Sequence, residues 1–549
     1  MDKILKVVAD INSAVNSVVW GWPMIVLILG VGLFLTIRTR VLQVRKFGAA
    51  WGETIIPTIK DLGKGGSLMN TDEKTISPFE AFATAISGTV GTGNIIGVTS
   101  AIMSGGPGAV VWMWISAFFG MVTNYAENVL GMFFRKKDEK TGEFSGGPMQ
   151  YLSEGMGKDV KGGWGEFLRG FGKVLGVMAA VFCVFAAIGM SGAQTNNIAG
   201  TFEDIFAGVQ GVNTDVVVLI AGIVIAIVVA LVILGGIKSI GRVASILVPF
   251  MSLLFIVMAL VVIFANVSMV GNAFALIFKN MFQFEAAIGG FSGYVFAQVI
   301  QKGLARGVFS NEAGLGSSVI AHSASETREP VKQGLWGIFE VFFDTFIICT
   351  LTALVILVSF GDSAGMSDVL YKLDAAGNPV YSTTVVSMKA FQGVFGTVGT
   401  VIYAIIIPLF ALTTILAWSY YGEKCVQFLF KKTGPKGQQI ASIVFKVVYV
   451  LLIVVSAVME NTLAWEISDT FNGLMALPNL IGLVFMGGLV AKITQNYFDR
   501  KAGKDVEPML SAYPEQNAQF ILDLQKENAS AEPVENAENA EAAVSDNAS

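Results

Sequence analysis

Apolar positions along this chain neither alternate nor fall into narrow stripes; they run on for about 20 residues at a time, the length a helix needs to cross a bilayer. Eleven such runs predict transmembrane helices near 17–37, 78–104, 107–134, 171–199, 214–236, 241–266, 287–320, 333–360, 383–423, 437–459 and 466–494. The seventh and ninth are longer than a bilayer requires, so they are expected to be broken, tilted or protruding. The first runs on to Ile37 without a small-residue cleavage site, so it reads as a span and not as a cleavable signal peptide. Every second loop is basic: 38–77, 135–170, Lys238 with Arg242, Arg328 with Lys332, 424–436 and 492–504. Basic loops mark the cytoplasmic side. The expected topology is therefore N-terminus outside and C-terminus inside.

Composition agrees with the runs. Of 549 residues, 54% are hydrophobic and 14% charged, with a mean hydropathy of +0.65. Soluble domains carry about 25% charged residues. The net charge of −5 is misleading, because residues 505–549 hold ten acids and one lysine, leaving +4 on residues 1–504. Residues 528–549 contain no aromatic residue and are too polar to build a core, which predicts a solvated cytoplasmic tail, and residues 510–549 are expected to be dispensable for transport. Phe520, Ile521 and Leu524 are spaced for one short amphipathic turn ahead of it. Three scattered cysteines and one histidine, His322, exclude a disulfide framework, a zinc site and a Ser-His-Asp mechanism.

Glycine clusters at membrane depth carry the functional signal. One runs from Ser87 to Gly97 in the second span and another from Gly303 to Gly316 in the seventh. Each glycine weakens a helix by about 1 kcal/mol relative to alanine. Backbone groups freed within the hydrocarbon must face protein or a polar cavity, where N–H groups suit a carboxylate and carbonyls suit a sodium ion. Close helix packing is the alternative, but it leaves Thr89, Thr92 and Asn94 unexplained, and it leaves the costly Arg306, Asn311 and Glu312 unexplained. The clusters open two successive groups of five spans, 78–266 and 287–494. Five is odd, so the groups cross in opposite senses, the inverted-repeat pattern of secondary transporters.

At Gly105-Gly106-Pro107-Gly108-Ala109 and on through Trp112, Trp114 and Gly120, the sequence resembles the signature of the alanine or glycine:cation symporters, with Val111 where that pattern usually has phenylalanine. Phe309-Ser310-Asn311-Glu312-Ala313-Gly314 and Gly146-Gly147-Pro148-Met149 resemble the same family, over roughly residues 15–500. The resemblance implies an all-α membrane protein of the leucine-transporter fold, with one extra N-terminal helix and 5+5 inverted repeats containing two broken helices. It implies sodium-coupled import of a small neutral amino acid, alanine or glycine, across a bacterial inner membrane, with sodium as coupling ion and no cofactor, enzyme activity or nucleic-acid partner. The expected organisation is an N-terminal helix and loop over 1–77, repeats over 78–266 and 267–500 (the latter including a connecting loop), and an acidic tail over 501–549.

By the same resemblance, Val90-Gly91-x-Gly93-Asn94 matches the broken first core helix of that fold. Amides of Gly91, Thr92 and Gly93 would then cradle the substrate carboxylate. Carbonyls of Ser87 and Val90 would hold one sodium, and Asn94 would serve a second. Thr413 and Thr414 would complete the first sodium site, as hydroxyl oxygens suit a hard cation. Trp418, one turn on, would cap a small pocket. Thr89, Phe309, Ser310 and Asn311 join the candidate substrate-binding set.

The remaining polar residues are less telling. Gln194, Asn196 and Asn197 close the fourth span, in a vestibule or a loop. Glu127, Glu340 and Asp344 fall near predicted helix ends within reach of water, and His322 is expected in a cytoplasmic loop. A proton-coupled carrier using one of these carboxylates is the nearest alternative. A channel lacks its repeated filter here, an enzyme its nucleophile–base pair, and an ATP-driven pump its phosphate loop.

Overall fold

The computed structural model describes residues 2–63, 75–138, 142–207, 209–282, 292–375, 377–459 and 461–526. The N-terminal helices α1 (Asp2–Val19) and α2 (Trp22–Arg38) are followed by short helices within 42–63. Then come α3 (Pro78–Thr89), α4 (Ile96–Gly105), α5 (Ala109–Phe133), α6 (Gly163–Phe206), α7 (Thr214–Ile233), α8 (Gly236–Ala265) and α9 (Val267–Lys279). The second half holds α10 (Ser292–Asn311), α11 (Pro330–Phe360), α12 (Thr383–Phe395), α13 (Thr397–Leu429), α14 (Gly434–Ala457) and α15 (Asn461–Lys501).

Among the described residues, eight helices are long and apolar enough to cross a membrane, or ten if each bent pair counts as one span. Burial sorts them into layers. In α5, 72% of the apolar stretch is buried inside the bundle, whereas in α7 only 33% is, and Leu231, Ile220 and Ile227 lie exposed on its outer face. A helix apolar all round needs lipid where protein does not cover it. The bundle is therefore a polar-lined centre built from α3–α6, α10, α11, α13 and α15, with α7, α8 and α14 around it.

Three elements differ from the sequence expectation. The fourth span is a 44-residue helix, Gly163–Phe206, that runs past the predicted 171–199 at both ends despite Gly163 and Gly165 in its first turn. Residues 267–279, expected as connecting loop, form α9, whose Ala273 and Ile277 are buried. The basic loop 135–170 contains a small antiparallel hairpin, Lys136–Lys137 against Phe144–Ser145, and the helix Pro148–Gly155.

The expected tail is described only as far as residue 526. Residues 510–526 are docked, while the tail from 527 and the seventh span before 292 lie outside the described residues. Phe520 and Leu510 pack on Phe144. Ala512 N–H donates to Phe133 O at 2.8 Å, and the Tyr513 hydroxyl donates to Glu154 Oε2 at 2.6 Å. Beneath them Arg135 is fully buried, its guanidinium 3.9 Å from the Phe144 ring centre and donating to Thr327 O at 2.6 Å. Composition predicts disorder from polarity, and here Leu510 and Phe520 supply the few apolar groups needed to dock. Phe520→Ala should release this segment, so trypsin should cut the variant after Lys504 faster than the wild type. An unchanged cleavage rate would contradict the packing.

Candidate functional site

Two interrupted helices meet at the centre. Ser77 caps α3, its side chain accepting from Glu80 N–H at 3.1 Å, and α3 then stops at Thr89. Val90 leaves the helical conformation, Gly91 is extended, Thr92–Asn94 form one tight turn, and α4 leaves at 56° to α3. Gly91 is needed for closeness: a Cβ there would lie 2.5 Å from Thr414 Oγ1. The other break follows α10, where Glu312 takes a left-handed backbone (φ 54°), with Gly314 (φ 94°) and Gly316 (φ 76°) beyond it. A left-handed glutamate is costly and persists only where its surroundings hold it. Here Trp418 Nε1 donates to Glu312 Oε1 at 2.9 Å and the Ser317 hydroxyl to Oε2 at 2.5 Å.

A buried polar node joins the two breaks. Asn94 Nδ2 donates to Asp344 Oδ1 at 2.5 Å and to Ser310 Oγ at 2.9 Å. The Ser310 and Thr345 hydroxyls both donate to Asp344 Oδ2, at 2.7 and 2.8 Å, and Asn311 Nδ2 donates to Thr345 Oγ1 at 3.1 Å. Asp344 lies in a wide helical turn within α11, Phe342–Cys349. Such turns recur at functional sites. Beside the node, the Phe309 and Trp465 rings lie 5.1 Å apart with their planes tilted by 39°, and Arg306 lies over both rings while pairing with Asp469 at 2.9 Å.

Residues 5–511 match the sodium:alanine symporter family. The chain belongs to that family. Among its relatives, a sodium/alanine symporter of Methanococcus maripaludis is 40% identical over 88% of this chain and 96% of its own length. An uncharacterized transporter of Haemophilus influenzae is 38% identical over 90% of this chain and 97% of its own. A probable sodium/glutamine symporter of Bacillus subtilis is 32% identical over 91% of this chain and 93% of its own. Among solved structures, MhsT in complex with L-phenylalanine covers 77% of this chain at 14% identity with a TM-score of 0.49. As a sodium:alanine symporter family member the protein is a multi-pass membrane transporter for sodium-coupled amino-acid symport, and not an enzyme.

The predicted residues divide into those that converge on the breaks and those that do not. Thr414 does: its hydroxyl lies 3.0 Å from Ser87 O, across the break, as well as 3.0 Å from Phe410 O on its own helix. Thr413 does not. Its hydroxyl faces Met251 Sδ (3.6 Å) and the carbonyls of Leu409 and Phe410 on its own helix. The Thr89 hydroxyl likewise turns back to Ile86 O at 3.2 Å. Val90 is buried at the end of α3. The Phe309 ring covers Gly93, lying 3.4 Å from where a Cβ would stand. Asn94 Oδ1 accepts from Gly91 N–H at 2.9 Å, so its oxygen closes the turn.

Several side chains matter more than the sequence reading allowed. Gln194, in mid-helix and buried, puts Oε1 3.2 Å from Thr92 N and 2.7 Å from Thr92 Oγ1. Side-chain oxygens thus occupy two of the three amides expected to meet the substrate carboxylate, Gln194 Oε1 that of Thr92 and Asn94 Oδ1 that of Gly91. Asn197 donates to Thr92 Oγ1 at 2.6 Å and accepts from Trp465 Nε1 at 3.1 Å. Asn196 instead donates to Met459 O at 2.6 Å. None of the three lies in a loop.

His322 needs the same correction. It is fully buried, with Gln333 Nε2 donating to its Nδ1 at 2.7 Å. The remaining Nε2–H therefore points at Glu340 Oε2, 2.9 Å away. Glu340, Asp344 and Glu127 are all buried away from water, and Asn479 Nδ2 donates to Glu127.

Proposed function

We propose that the protein imports a small neutral amino acid, alanine or glycine, together with sodium by alternating access. It would do so with eleven spans in a 5+5 inverted arrangement over 78–266 and 267–500 after an N-terminal helix and loop at 1–77, with an acidic tail from 501. In this reading the N-terminus is outside and the C-terminus cytoplasmic in a bacterial inner membrane.

The observation that carries the reading is the break at Val90–Gly93, packed so tightly on Thr414 that only glycine fits at 91. Backbone amides of Gly91, Thr92 and Gly93 take the carboxylate, with the oxygens of Gln194 on Thr92 and of Asn94 on Gly91 giving way as it arrives. Carbonyls of Ser87 and Val90 with the Thr414 hydroxyl take sodium. Thr413 is set aside, because its hydroxyl points to Met251. Trp418 and Phe309 close the pocket against larger side chains. Ser310, Asn311 and Asn94 act through Asp344 to hold the two breaks in register, and Asn94 would serve a second sodium. Sodium favours one of two states by binding it more tightly, and the substrate reads the same equilibrium.

Uptake of radiolabelled alanine by the purified protein in liposomes tests this. An inward sodium gradient should drive accumulation that an equal proton gradient does not. Accumulation driven by protons alone would favour the alternative in which a buried carboxylate such as Glu312 or Asp344 carries the coupling charge. A Bacillus subtilis relative 32% identical to the chain is described as a putative sodium/proton-dependent alanine carrier.

A further inference from the structure

A second polar cavity, of about 900 Å³, lies at the end of the bundle that carries the basic loops and shares no residue with the site above. It is bounded by the end of α2, the segment after it, residues 155–160 and the last turns of α15. Six cations line it, Arg38, Arg40, Arg45, Lys46, Lys158 and Lys492, against two acids, Asp159 and Asp499. Asp499 is engaged by Lys504 at 2.8 Å, and Lys158 donates to Ala512 O at 2.5 Å. Among the described residues, the other five cations stand in no ion pair.

The backbone is bent to bring them there. Arg40 (φ 58°) and Val41 (φ 56°) are consecutive left-handed residues without glycine. Such a conformation is unfavourable and needs compensation. The turn is held by Val41 N–H donating to Thr36 O at 2.7 Å and by Gln43 Nε2 donating to Thr36 Oγ1 at 2.9 Å. Its consequence is that Arg45 and Lys46 double back beside Arg38 and Arg40.

The cavity is not simply a wet basic surface. Its lining includes Phe485, Met486 and Leu489, and it adjoins a surface on which Leu33, Ile37, Val484 and Phe485 are exposed. α2 and α15 are tightly joined there, since a Cβ on Gly487 would lie 2.6 Å from the Phe34 ring. Positive charge at a membrane boundary beside an apolar, lipid-facing groove matches a phosphodiester attached to acyl chains. We propose that this cavity binds the headgroup of an anionic phospholipid, with the acyl chains lying along α2 and α15. A soluble phosphate would use the cations alone and leave the apolar wall idle.

Native mass spectrometry of the full chain in detergent, titrated with phosphatidylglycerol or phosphatidylethanolamine, tests the site. One tightly held phosphatidylglycerol is expected, with no comparable retention of phosphatidylethanolamine. Each cation near an anionic surface contributes about 5-fold in affinity, so Lys492→Gln should weaken retention about 5-fold and Arg40→Gln/Arg45→Gln roughly 25-fold. Lys492 is exposed on a helix, so its variant keeps the test open should the double variant unfold. Inorganic phosphate should not displace the lipid. Equal retention of both lipids, retention unchanged in the folded variants, or displacement by inorganic phosphate would each overturn the proposal.

Discussion

Gly91→Ala is expected to abolish most sodium-driven uptake while leaving the protein folded in the membrane. The added Cβ would stand 2.5 Å from Thr414 Oγ1 and 3.4 Å from Gln194 Nε2, so either the break or α13 must move. Forcing a methyl group into a packed site costs about 1–3 kcal/mol. If that strain falls on the bound state, apparent affinity for alanine drops roughly 10- to 100-fold. Gly93 is less confined, its nearest neighbour being the Phe309 ring at 3.4 Å. Gly93→Ala should therefore be milder than Gly91→Ala in the same uptake assay. Equal loss at the two positions would mean that closeness to Thr414 is not what matters.

Asp344→Ala should have the largest effect on stability. The Asn94 carboxamide, the Ser310 hydroxyl and the Thr345 hydroxyl all donate to this one carboxylate. Each buried polar group left unpaired costs about 1–3 kcal/mol. Partners can re-pair in part, so the loss is expected to be smaller than a simple sum over the donors. The variant should unfold at a clearly lower temperature in detergent and lose uptake, because both breaks are tied through the node. Asp344→Asn keeps the size and one acceptor, and should lie between the two. A wild-type melting temperature for Asp344→Ala would show that the node does not hold the breaks together.

What the sequence carries and what it hides follow from the range of each signal. Long apolar runs are local, so helices stand in the described parts of the predicted runs, eight to ten of them long and apolar enough to span, and breaks at Gly91 and beyond Glu312 are visible as glycine clusters. Partners across the bundle are not local. His322 and Glu340 are 18 residues apart on different helices, and Thr92 and Gln194 are 102 apart, so neither pair announces itself. The wide turn at Phe342–Cys349 has no proline or glycine to mark it, so nothing in the sequence sets Asp344 apart as the centre of a node.

Thr413 and Thr414 show a limit of another kind. Neighbouring residues on a helix point about 100° apart, so two adjacent hydroxyls rarely face one small site. The sequence offers no means of choosing between them. Packing does: Thr414 meets Ser87, and Thr413 meets Met251.

That difference supplies the most direct test of the proposed ion site. The measurement is the sodium dependence of alanine uptake in liposomes for the wild type, Thr413→Ala and Thr414→Ala. Thr414→Ala should need a markedly higher sodium concentration for half-maximal uptake, partly recovering its rate at saturating sodium, while Thr413→Ala should follow the wild-type curve. A wild-type sodium dependence for Thr414→Ala, or a shift in Thr413→Ala alone, would contradict the account.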